Sequence, residues 1–149
     1  MSSIEKLLSG VREDLKNEFL KVKNKVEEKS DVEIYSNLSE LTPPRNTPIY
    51  LTLNFTRKGS ESEGVSLSLS FQNYNPEVER FIVYDDRLFI SMDLSFEQGA
   101  FISNPKINTL DLRSSNLEKS LIDEIKRSTI FVNDQIEIIV NILNDPRYW

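Results

Sequence analysis

The residues in this chain best placed to do chemistry are Asp85, Asp86, Asp93 and Glu97, four carboxylates within thirteen positions. Hard cations bind converging oxygen ligands, and two carboxylates with separated pKa values can divide general acid and base work. The spacing argues against both uses. A calcium loop needs a central glycine and a closing glutamate, and neither stands at the required position. Asp85 and Asp86 are turn-forming types, while Asp93 and Glu97 fall on the alternate, solvent-facing positions of a strand.

The other reactive types are absent or unsupported. The chain has no histidine and no cysteine, which removes Ser-His and Cys-His triads, soft-metal sites and thiol redox chemistry. Serine is abundant, but a serine nucleophile needs a base within hydrogen-bond reach, and without histidine only lysine could serve. Gly59 to Gly64 contains glycines, yet Glu61 and Glu63 between them would repel a phosphate. The expectation is a protein that is not an enzyme, with no cofactor-binding or metal-binding residues.

Charge narrows the partners. The net charge is -6, and residues 61–100 carry eight acidic side chains against Arg80 and Arg87. Nucleic-acid binding needs a basic stripe that displaces counterions, and none is present, so no nucleic-acid partner is expected. The mixed-charge surface of the N-terminal segment, with Lys16, Lys21, Lys23, Lys25 and Lys29 among acidic neighbours, reads as a solvated helix face. The acidic middle suits a basic protein partner, through Glu77, Glu79, Asp85, Asp86 and Asp93. Tyr148 and Trp149 add a C-terminal aromatic pair beside Arg147. Such a tail either docks on a partner or folds back on its own helix.

These groups must be held by a fold, and 149 residues with about a third Ile, Leu, Val and Phe suffice for one domain, 1–149, with a real core. Without cysteine or a leader-like opening the chain reads as cytoplasmic, and its longest apolar run, Phe81 to Tyr84, is far below a membrane span. Ile4, Leu8, Val11, Leu15, Phe19, Val22 and Val26 recur with helical period, and Ser2 with Glu5 forms a capping box, so a long helix opens the chain. Gly10 inside it marks either a close crossing or a tolerated cost.

The period then changes to two. Val32 and Ile34 suggest a short strand. Ile49 to Thr56 and Val65 to Gln72 alternate strictly and form a hairpin turned by Gly59 and Gly64. A second pair is expected from Arg80 to Tyr84 and Leu88 to Phe96, closed through Asp85 to Arg87, giving an antiparallel meander of four to five strands. Residues 97–113 read as irregular, with Gly99 and Pro105 as breakers.

Two C-terminal helices follow. Ser115 to Glu118 is a capping box opening the first, which carries Leu117, Leu121, Ile122 and Ile125. The second runs from Ile130 to Asn144 and is apolar over so wide an arc that it must be covered on two sides. The fold class is therefore α+β: a long N-terminal helix, the meander, and two helices packed on one sheet face. Leu51, Leu53, Leu67, Leu69, Ile90, Met92 and Leu94 should face the helices.

This element order, with the stretch Tyr84-Asp85-Asp86-Arg87-Leu88-Phe89-Ile90-Ser91-Met92-Asp93-Leu94-Ser95-Phe96 ahead of the final helices, resembles the type III secretion chaperone fold and the bacterial stress and sensory-regulator proteins that share it. The stretch is similar to that family's late hairpin. The family usually places a helix between its third and fourth strands, for which Asn73 to Glu79 is short. The resemblance suggests homodimerisation. The leading expectation is a non-enzymatic protein-interaction module, chaperone-like or regulatory, that engages another protein and forms a homodimer. An immunity or inhibitor protein using residues 61–100 against a basic partner is the alternative, and a carboxylate-dependent enzyme the third.

Overall fold

A computed structural model of the chain describes residues 3–40, 49–60, 64–72, 86–96 and 100–149, with side chains described for 8–40, 49–60, 64–72, 86–96 and 106–149. The helical period at the start produces α1 (Ser3–Lys29). Leu8, Val11, Leu15, Phe19, Val22 and Val26 form its buried stripe. No atom lies within 4 Å of where a Cβ on Gly10 would stand, so nothing crosses there and the helix simply tolerates the glycine. The capping box expected from Ser2 and Glu5 lies outside the described side chains.

Five strands follow: β1 (Ile34–Glu40), β2 (Ile49–Arg57), β3 (Val65–Gln72), β4 (Arg87–Phe96) and β5 (Ala100–Asp111). They form one antiparallel sheet in sequence order. The register stacks like with like: Leu38, Leu53, Leu67 and Leu94 make one cross-strand row, and Leu51, Leu69 and Met92 the next. These rows are the floor on which the helices sit, because side chains alternate between the two faces of a strand.

Two sequence expectations about the strands need correction. Residues 97–113 are not irregular, since β5 occupies Ala100–Asp111. Pro105 is tolerated because β5 is an edge strand, and the β4–β5 pairing shifts register between Met92 and Leu94, opposite this proline. The strand expected at Arg80 to Tyr84 lies outside the described residues. Its supposed partner, β4, is already paired with β3 on one side and β5 on the other.

The C-terminal region is also one element where two were expected. A single helix, α2 (Leu117–Asn144), runs through residues 126–129, and a short 3₁₀ turn, Pro146–Tyr148, follows it. No glycine or proline stands within Leu117–Asn144 to break it. The capping box at Ser115 does not form. Asn116 is the N-cap and makes no side-chain cap bond. A backbone turn takes over the task, with Leu117 N–H donating to Ser114 O at 3.3 Å.

Both helices lie on the leucine face, α1 over β1 and β2 and α2 across β2 to β5. They run in the same direction, since Glu18 pairs with Asn133 and Asp31 with Asn144. An odd number of antiparallel strands between two helices on one face requires this. The apolar arc of α2 is covered by the sheet and, on its flank, by α1: Phe131 is buried on the β5 side and Ile142 is buried, while Ile138 remains 40% exposed. The second cover for this helix is thus supplied by the chain itself.

The opposite sheet face carries Thr52, Asn54, Ser66, Ser68, Ser91, Asp93 and Ser95, all half-buried. Ser70, Gln72 and Phe89 on the same face are buried, so that end of it is not wet.

Candidate functional site

The apolar stripe of α2 is broken by polar residues that are nonetheless inside. Between Leu121 and Phe131 the inward positions are Glu124 and Ser128, both buried, and Gln135 follows four residues after Phe131. Burying such groups without partners costs about 1–3 kcal/mol each, more for a charge. Their hydrogen bonds therefore decide what the site can do.

Glu124 is 2% exposed. Its Oε1 accepts from Asn108 Nδ2 on β5 and from Arg127 Nη1, the latter at 2.5 Å. Its Oε2 accepts from nothing among the described residues. Gln135 repeats the pattern: Nε2 donates to Phe131 O at 3.1 Å, while Oε1 has no partner among the described residues. Ser128 Oγ is likewise buried and unpartnered.

Glu124 and Gln135 both line a cleft of about 420 Å³ between α2 and strands β4 and β5. That volume lies within the range of small binding clefts, about 300–1,000 Å³. Met92, Ile107, Ile130 and Phe131 give it apolar walls, and Lys106, Arg127 and Asp134 give it charge. Lys106 Nζ stands 5.6 Å from the centre of the Phe131 ring, the geometry in which an aromatic face attracts a cation. Ile130 is 60% exposed, the most exposed large apolar side chain among the described residues.

Comparison with protein-family models, curated proteins and solved structures finds no match. The cleft is therefore read from its own chemistry. Lys106 and Arg127 bring cationic donors to it, while Glu124 Oε2 and Gln135 Oε1 are buried without a partner among the described residues. Glu124 and Asp134 are ten residues apart on one helix, about 15 Å along its axis, too far to divide acid and base roles on one bond. Among the described residues no three acidic side chains converge as a metal site requires, and no helix is long and apolar enough to cross a membrane.

The residues singled out from sequence are not brought together. Glu77, Glu79, Asp85 and Glu97 lie outside the described residues. Asp86 closes the β4–β5 end, paired with Arg113 at 3.2 Å while its carbonyl accepts from Leu112 N–H at 2.8 Å. Asp93 is seven residues further along β4, about 23 Å away, on the face opposite the cleft. Partial burial there holds its carboxyl above the usual range.

Tyr148 and Trp149 fold back onto their own chain. Trp149 Nε1 donates to Ile142 O at 2.9 Å, Arg57 Nε donates to Leu143 O at 2.7 Å, and the Arg57 guanidinium lies 5.9 Å from the Trp149 ring centre. Phe96 meets both aromatic rings edge-on, at 5.5 Å and 5.6 Å. The last carbonyls of α2, which no glycine cap serves, are thereby satisfied by side chains. The cleft itself was missed from sequence, because Glu124, Ser128 and Gln135 are polar types that nothing local marks as buried. Their fourfold and sevenfold spacing from Leu121, Phe131 and Val132 was the available signal.

Proposed function

We propose that this chain is a non-enzymatic interaction module, chaperone-like or regulatory, that engages a segment of another protein in the cleft between α2 and β5. The observation carrying the reading is the cleft itself, in which Ile130, 60% exposed, stands with Met92 and Phe131 between α2 and β5. A cleft of this kind offers a partner apolar contact at Met92, Ile130 and Phe131 beside the charges of Lys106, Arg127 and Asp134. The acidic-segment alternative gains less support, since Asp86 is committed to Arg113 and Asp93 lies half-buried within the sheet.

The test is selection of binding peptides from a random library, with the site mapped by NMR shift changes. The expected result is shifts centred on Met92, Ile130, Phe131 and Gln135. Peptides that map elsewhere, or a library that yields none, would overturn the reading. A second copy of the chain as occupant would show itself as concentration-dependent mass in light scattering, abolished by Ile130→Glu.

A further inference from the structure

We infer that two copies of this chain associate through the outer face of α2, crossing at Ile130 about a two-fold axis. The association is separate from whatever the cleft binds. Ile122, Ile130 and Ile138 are three of the six large apolar side chains exposed among the described residues, at 47%, 60% and 40%. They are spaced by eight, and Lys126 and Asp134 stand midway between them. Every fourth residue of a helix falls on one oblique surface row, so Ile122, Lys126, Ile130, Asp134 and Ile138 form a single ridge.

The ridge is the same from either end except in the sign of its charge. A two-fold axis makes residue i of one copy meet residue j of the other, and j meet i. With the axis at Ile130, the two Ile130 side chains pack together and Lys126 of each copy meets Asp134 of the other. Within one chain these two charges are about 12 Å apart along the helix, and neither makes an ion pair among the described residues. Ridges of this kind pack at an angle of about 50° between helix axes, the commonest crossing in globular proteins.

The remaining charges on the outer face of α2 leave this fit intact. Arg127 is answered by Glu124 and Glu137 by Lys29 within the protein, at 2.5 Å and 2.6 Å. Glu118 and Lys119 oppose each other at the start of the helix, and Asp123 is matched in sign by Lys106 on β5 beside the ridge. The face is therefore neutral, on a molecule whose net charge of -6 repels its own copies. A strongly acidic or basic partner finds no net attraction there, whereas the inverted order of Lys126 and Asp134 fits itself.

The experiment measures the mass of the full chain by sedimentation equilibrium from micromolar to millimolar concentration. A monomer–dimer equilibrium is expected, and Ile130→Glu should abolish it. Lys126→Glu and Asp134→Lys should each weaken dimerisation about tenfold, since each turns two attractive pairs into two repulsive ones, and the double reversal should restore it. Asp134→Lys also makes the chain less acidic, so a general effect of net charge would strengthen association instead. All three positions are exposed, and unchanged urea midpoints show that the variants are folded. A monomer at every concentration, a dimer that survives Ile130→Glu, or a double reversal no better than the single ones would overturn the inference. A second copy seated in the cleft would overturn it too, and would show itself by NMR shifts at Met92 and Phe131 on dilution and by indifference to the charge reversals.

Discussion

Replacing Trp149 by alanine asks whether the C-terminal aromatic pair belongs to this molecule or is held out for another. The substitution removes the hydrogen bond to Ile142 O, the edge contact with Phe96 and the stacking of Arg57. These contribute about 1, about 0.5–1.5 and about 0.5–1 kcal/mol respectively. The contributions share partners and do not simply add, and the indole is only partly buried, so the expected loss is about 2–3 kcal/mol. At a urea dependence near the middle of the usual 1–3 kcal/mol per molar, the unfolding midpoint falls by roughly 1 M. Far-UV circular dichroism must follow it, because the variant has no other tryptophan. Tyr148→Ala provides the scale. Tyr148 is 44% exposed and its ring meets Phe96 alone among the described aromatic contacts, so its loss should stay below about 1 kcal/mol. Equal midpoints for the two variants would refute the reasoning and return the tail to the role of a free docking element.

Three further outcomes are expected. Gly10→Ala should stabilise the protein by about 0.5–1 kcal/mol in the same urea assay, since the added methyl group meets open space; destabilisation would mean that something crosses α1 there. The Arg147 guanidinium, through its side-chain hydrogen bonds and then its backbone amide, holds the Asp145 carboxyl down at about 2 against an ordinary 3.8. Whatever stability this pair supplies is present above pH 3.8 and lost as pH falls through about 2, and Arg147→Ala, which removes the guanidinium but keeps the backbone amide, should move the Asp145 titration, read by carboxyl ¹³C shifts, up toward the ordinary range. Asp93 behaves oppositely: burial raises its pKa, so its contribution is fully present below pH 3.8 and lost as pH rises through the raised value. Asp93→Asn should therefore raise the thermal midpoint at neutral pH and show no gain in acid.

Periodicity made α1, β2, β3 and the inward face of β4 legible, because in each a single period runs unbroken from end to end. It failed where a second requirement interrupts the period. Pro105 hid β5, although an edge strand with a register shift accommodates a proline at little cost. The apolar stripe ending at Ile125 and the one starting at Ile130 read as two helices, although the backbone between them contains nothing that stops one. The candidate site was illegible for the same reason: a buried carboxylate answered by Asn108 from a different element looks, in sequence, like a solvated one. Of the acidic residues that drew attention through their density, Asp86 and Asp93 stand apart along β4 and its turn, since closeness in sequence along a strand means separation in space.

The sheet pairs only neighbours in sequence, so every hairpin can zip as soon as its two strands exist, and little chain entropy opposes it. The side-by-side helices impose the contrary schedule. During synthesis the opening rod leaves the ribosome first, while the coil that shields its flank is translated last, and for most of that interval the greasy stripe from Leu8 to Val26 has only β1 and β2 to lie against. Nascent copies of this protein thus pass through a stage in which α1 has been made and the helix that shields its flank has not.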